Sequence, residues 1–176
     1  MADTIRDRAA IIALFPDNTS GEISPQDERD LIVSAWGVYG AISFYNKSST
    51  QSLNTTAATI VAFDTTGGSD GTTVSTGSHN ITVLTGGVYY VEAHMTVTGF
   101  NSGTLYSFHL AKNGTRIGGA TSSIKTTDTS DYKVVSMALT VSLATNDVIT
   151  VSGESDAGGG QTIIPVHGQL LVKRWL

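Results

Sequence analysis

From Val38 onward, apolar and polar residues alternate with the two-residue period of strands buried on one face. In Gly87 to Val97, the residues Tyr89, Val91, Ala93, Met95 and Val97 share one face, and Tyr90, Glu92, His94 and Thr96 share the other. In 132–143 the inward set is Val135, Met137, Leu139 and Val141, which leaves Val134, Ser136, Ala138 and Thr140 outward. In the last run Val166, Gly168, Leu170 and Val172 point one way, and His167, Gln169 and Leu171 the other. The pattern predicts strands near 41–46, 57–63, 79–84, 88–98, 105–112, 119–125, 132–143, 147–154 and 163–174. Turn-prone clusters separate them: Thr66 to Gly71, Asn101-Ser102-Gly103, Lys112-Asn113-Gly114 and Asp156 to Gly160. Asn113-Gly114 is the strongest hairpin signal among these. Many short strands between turns predict a sandwich or barrel, and the apolar end, Leu170 to Leu176, predicts a buried central strand.

Residues 3–36 carry a helical period instead. Ile5, Ala9, Ile12 and Ala13 form one apolar stripe that stops near Leu14, because Pro16 disfavours helix at the residue before it. Ser24 reads as an N-cap with Pro25 at the first helical position, and Leu31, Ile32, Ala35 and Trp36 give the second helix its apolar side. Helices this short are marginal alone, so they must pack on the sandwich, on each other in an oligomer, or on another protein. The chain therefore divides into a helical segment, 1–37, and a β domain, 38–176.

Composition narrows the functional classes. The chain has 176 residues, 40% of them apolar and only 14% charged, with a net charge of −5. Its basic residues are scattered, which argues against a nucleic-acid partner. With no cysteine, disulfides, thiol chemistry and Cys-based zinc sites are excluded. No run has the length of a membrane span, and the first residues lack the features of a secretory signal, so synthesis in a cytoplasm without membrane insertion is expected. His79, His94, His109 and His167 fall in or beside strands, and no Gly-x-Ser-x-Gly, Walker or His-Glu-x-x-His pattern occurs. The expectation is a protein that is not an enzyme and needs no cofactor. The acid-rich stretches Asp64 to Asp70, Asp128 to Asp131, and Glu154 with Asp156 lack a calcium-loop ligand ladder and read as solvated loops.

Three motifs in order resemble the tumour-necrosis-factor-like jelly rolls, and most of all their complement-type globular heads. These are Gly87-Val88-Tyr89-Tyr90-Val91, with Val for the family's second aromatic; Leu143-Ala144-Thr145-Asn146-Asp147-Val148, with Asn for Gly; and His167-Gly168-Gln169-Leu170-Leu171. Asn tolerates the left-handed backbone that the turn needs. The resemblance covers roughly 41–176. It implies an all-β jelly-roll sandwich of two antiparallel sheets that assembles as a homotrimer, with outward strand faces lining the threefold axis. On that reading Tyr90, Glu92, His94, Val134, Ser136, Ala138, His167, Gln169 and Leu171 form the trimer interface. Copies of His94 or His167 then meet at the axis, either as hydrogen-bonded interface residues or as ligands of a metal or anion.

The first 36 residues resemble a helical hairpin of phage virion proteins, typically fibre or tail components. Leu14-Phe15-Pro16-Asp17-Asn18 and Gly21-Glu22-Ile23-Ser24-Pro25-Gln26-Asp27-Glu28-Arg29-Asp30 carry that likeness. It implies a virion structural protein, a head fibre, decoration or tail appendage. Leu31, Ile32, Ala35 and Trp36 would anchor it to other virion proteins, and turns near Asn101, Asn113 or Gly158 would meet a host-surface glycan or protein. The alternatives left open are a capsid-stabilising cement protein without a receptor, and a cell-encoded soluble binding module.

Overall fold

Among the described residues, two antiparallel sheets, each of six strands, enclose one apolar core. The structure is a computed structural model that describes residues 25–35, 37–45, 47–53, 59–157 and 161–175. The first predicted helix, Trp36 and Gly158 to Gly160 lie outside the described residues, as does the side chain of Ala35. Helix α1 spans Pro25–Ala35. The strands are β1 (Tyr39–Tyr45), β2 (Gln51–Leu53), β3 (Thr59–Ile60), β4 (Thr65–Asp70), β5 (Thr72–Ser75), β6 (Asn80–Val83), β7 (Gly87–Thr98), β8 (Leu105–Lys112), β9 (Thr115–Lys125), β10 (Lys133–Leu143), β11 (Val148–Ser155) and β12 (Gln161–Arg174). One sheet runs β10-β7-β12-β1-β4 with β2 joined to β12; the other runs β5-β6-β11-β8-β9 with β3 joined to β11. Strands distant in sequence lie side by side, and every pairing is antiparallel, as in a jelly roll.

Alternation places the core as the sequence predicts. Tyr89, Val91, Ala93, Met95 and Val97 of β7 are buried against Tyr106, Phe108 and Leu110 of β8 and Ile149 and Val151 of β11. The last strand, β12, is central, with Leu170 and Val172 buried, although Trp175 beyond it stays 58% exposed.

The predicted turn chemistry is realised at the β8–β9 hairpin. Asn113 (φ 51°) and Gly114 (φ 77°) are both left-handed, the geometry of a two-residue turn that matches strand twist. Asn113 also latches this hairpin to the β10–β11 turn. Its Nδ2 donates to Asp147 Oδ1 at 2.7 Å and its Oδ1 accepts from Val148 N at 2.8 Å. Asp147 Oδ2 in turn accepts from Ala144 N at 2.8 Å, beside Lys112 at 3.6 Å. The Ala144 N–H, aided by Asn113 and Lys112 and opposed by burial, holds the Asp147 carboxyl below its ordinary value. Because the folded pKa is depressed, this stabilisation is complete above the unfolded carboxylate value of about 3.9 and is lost as pH falls through the folded one. Asp147→Ala strands the donors of Ala144 and Asn113, and is expected to cost about 2 kcal/mol in a urea-unfolding measurement at neutral pH.

Several sequence expectations are corrected. The cluster Thr66 to Gly71, read as a turn, lies mostly in β4, an exposed edge strand paired with β1. Its glycines hide the strand, yet Gly67 allows close approach to Ala41, where a Cβ would come within 2.9 Å of the alanine methyl. Among the described residues of the predicted strand 57–63, Thr59–Ile60 form β3, and β9 starts at Thr115, four residues before the predicted 119. Val166 does not belong to the inward set. The β12–β7 register slips between Pro165 and His167, so Ile163 and Pro165 point inward above the bulge, and Gly168, Leu170 and Val172 below it. Pro165 has no N–H for the ladder, which favours a bulge there.

The two ends of the sandwich differ. The chain turns from α1 into β1 at Gly37 (φ 82°), a conformation that ends a helix. That end, the base, also holds the start of β7, the end of β12 and the Asn113–Asp147 latch. The far end holds the loops around Asn101, Asp128 and Asp156. They are knitted together by Gly103 N→Thr126 O (2.8 Å), Ser102 Oγ→Thr127 O (2.9 Å) and Leu105 N→Asp156 Oδ1 (2.8 Å). The turns near Asn101 and Asn113 therefore lie at opposite ends of β8 and cannot share one contact surface.

Candidate interaction face

The strands β10, β7, β12 and β1 present one continuous outward face whose side chains are fixed by register. Val134, Thr96, His167 and Tyr45 form one row across it, and Ser136, His94, Gln169 and Ser43 the next. Ala138, Glu92, Leu171 and Ala41 follow, then Thr140, Tyr90, Lys173 and Tyr39. All nine residues expected at an interface thus come together on this one face, as the pleat requires. Glu92 and Lys173 are the only carboxylate and ammonium in these rows. Val134 is 72% exposed and Tyr45 is 75% exposed, large apolar groups on a face nearly without charge.

A polar line runs through the middle of the face. Ser136 Oγ lies 2.9 Å from His94 Nδ1, His94 Nε2 lies 3.5 Å from Glu92 Oε2, and the Tyr90 hydroxyl donates to Glu92 Oε2 at 3.0 Å. That hydrogen bond to Glu92 is the chief reason the Tyr90 phenol is held above its ordinary value. Beside it, His94, Thr96, Val134, His167 and Gln169 rim a depression of about 250 Å³ next to the β12 bulge. The Tyr45 ring packs on the His167 imidazole at 4.8 Å between centroids.

The residues expected to anchor the chain elsewhere are placed less completely. Leu31 is 39% exposed and Ile32 55%, while Asp30, one position before them, is buried. Leu31 and Ile32 are therefore left uncovered by the sandwich, whereas Val38, just beyond the helix, is buried in its core. The acid-rich loops form no metal cluster among the described residues. Asp64 pairs with Lys47, Asp131 with Lys133 and Glu154 with Arg116, and Asp128 accepts from Ser130.

The other sheet carries a feature that strand alternation missed. His109 points away from the core, yet it is buried, and its Nδ1 has no partner among the described residues. On the same sheet Arg116 of β9 reaches across β8 to Glu154 of β11 at 2.5 Å. Burial, then Arg116, pushes the imidazole below its ordinary value, against the pull of Glu154. The folded chain thus binds this proton less readily than the unfolded one. Stability is full above the unfolded value of about 6.5 and falls as pH drops from there toward the folded value. The urea midpoint should be lower at pH 5.5 than at pH 7.5, and this difference should shrink in His109→Phe.

No model of a known protein family matches the sequence, and no curated protein matches it. Solved structures do match in fold. The chain is similar to the globular domain of a zebrafish complement 1qA protein, with TM-score 0.57 and 16% identity, covering 80% of this chain and 98% of that one. It is also similar to Eiger TNF from S. frugiperda, with TM-score 0.52 and 14% identity, covering 79% and 94%. The fold is a complement- and tumour-necrosis-factor-like jelly roll, as the three motifs imply.

Proposed function

We propose that this chain is a homotrimeric, non-enzymatic binding module carried on a phage virion, as a head fibre, decoration or tail appendage. The observation that carries the self-association is the outward face of β10, β7, β12 and β1. It is continuous, almost uncharged and tipped with exposed Val134 and Tyr45, and it already holds its polar groups in mutual hydrogen bonds. Such a face loses little by being desolvated and gains from burial. A ring of three copies closes without leaving the face open to further growth.

The virion assignment rests on the likeness of Leu14 to Asn18 and Gly21 to Asp30 to phage structural proteins. The uncovered Leu31 and Ile32 of α1 support a docking role for the base. With the base attached, the loops around Asn101, Asp128 and Asp156 project outward. Their cross-loop hydrogen bonds pre-organise them for contact with a host-surface glycan or protein. Copy number on a particle then compensates for weak single contacts. Electron microscopy of particles assembled without the chain tests this. Loss of a discrete projection together with loss of adsorption to host cells is expected; particles of unchanged outline and infectivity would contradict it.

A further inference from the structure

We infer that Asn113 is a one-way deamidation site, which the Asn113–Asp147 latch protects and whose conversion disables that latch. Asn113 is the only asparagine of the chain followed by glycine. Glycine leaves the carboxamide most open to attack, because it has no side chain to shield its peptide nitrogen. The Gly114 nitrogen bonds to Asn113 Cγ, the Cγ–Nδ2 bond breaks, and ammonia leaves with the proton that the Gly114 nitrogen gives up. Water then opens the five-membered ring at either carbonyl. The product is an aspartate, or an isoaspartyl link that adds one methylene to the backbone of the turn. Asn113 and Gly114 are both exposed at the tip of the β8–β9 hairpin, where water is the only further reactant needed.

The fold opposes ring closure. Closure needs Asn113 to leave its left-handed backbone (φ 51°) and its carboxamide to turn face-on to the Gly114 nitrogen. The carboxamide is instead pinned at both ends: Nδ2 donates to Asp147 Oδ1 at 2.7 Å, and Oδ1 accepts from Val148 N at 2.8 Å. The backbone of the same residue is tied as well, with Asn113 N donating to Val148 O at 2.9 Å. Asp147 accepts from Ala144 N at 2.8 Å, which keeps its carboxylate from following a moving amide. Having to break two side-chain hydrogen bonds, one of them to a charged acceptor, slows the reaction by about 10- to 100-fold. Conversion inverts the contact. The Nδ2 donor becomes a carboxylate oxygen, so two anions face each other where a 2.7 Å hydrogen bond stood. The Lys112 ammonium, 3.6 Å from Asp147, is one charge against two. With the ammonia gone, the turn has no route back.

The test is peptide mapping by mass spectrometry of the full chain kept in mildly alkaline buffer, either folded or unfolded in urea. Asn113 should convert about 10- to 100-fold more slowly in the folded chain. Asp147→Ala, with its β signature in circular dichroism intact, should convert at Asn113 faster than the folded parent, with no change at Asn101. Asn113→Asp, which makes the product directly, should have a lower urea midpoint than the parent at neutral pH. That deficit should shrink as pH falls toward about 4, where the facing carboxylates take up protons. Equal rates in the folded and unfolded parent overturn the inference without recourse to any variant. Equal or slower conversion in Asp147→Ala overturns it too, slower conversion by making the carboxylate a base for the reaction and not a guard. An Asn113→Asp chain as stable as the parent overturns the loss of the latch.

Discussion

Ala138→Glu is expected to reduce the solution mass from about three chains to the 18.4 kDa of one, without unfolding the sandwich. Ala138 is exposed in the single chain and sits on β10 directly opposite Glu92 on β7. In a monomer the added carboxylate faces Glu92 across the strand pair but stays in water, so the fold should lose no more than about 1 kcal/mol. In the proposed assembly it becomes a second buried anion beside the first, at a cost of about 3–5 kcal/mol for each copy. Light scattering should therefore report dissociation at micromolar concentration, while circular dichroism keeps its β signature. Thr73→Glu, an exposed change on β5 of the other sheet, should leave the mass unchanged.

The second large effect concerns the core. Gly168→Ala should destabilise the fold by about 3 kcal/mol, the upper end of the usual range for overpacking. A Cβ at this position would stand 2.5 Å from Phe44 Cζ, 3.0 Å from the His94 carbonyl oxygen and 3.0 Å from Met95 Cγ. Phe44 is fully buried and the His94 carbonyl belongs to the β7 backbone, so neither can withdraw cheaply. Chemical unfolding read by tryptophan fluorescence or circular dichroism measures the loss. Gly114→Ala on the β8–β9 hairpin offers a contrast: nothing lies within 4 Å of its Cβ position, so its cost comes from the left-handed backbone alone, about 1 kcal/mol.

These two residues mark what the sequence made legible. Burial on one face imposes a period of two, so the inward set of β7 and the partition of β10 could be read before any coordinates. Asn113-Gly114 announced its hairpin because few residue pairs accept left-handed backbone twice in succession. The same alternation assembled the interaction face, since the positions it excludes from the core must lie outside. It could not find β4, whose Thr65–Asp70 has no apolar residue because both of its sides meet solvent. Nor could it foresee that His109 would be buried on the outer side, where the long-range pair of Arg116 and Glu154 spans β8. The Val166 error had a visible warning in Pro165, a residue that cannot donate to a ladder. The pattern on α1 named Leu31 and Ile32 as apolar, but a helical period says only that such a stripe seeks a partner, not which one.

One measurement bears most directly on the central claim, that the β10-β7-β12-β1 face is sealed by two further copies of the chain. The unaltered protein, studied by sedimentation equilibrium at micromolar concentration, should show a single species of about three times 18.4 kDa. A species of one chain, stable across that range, would contradict it.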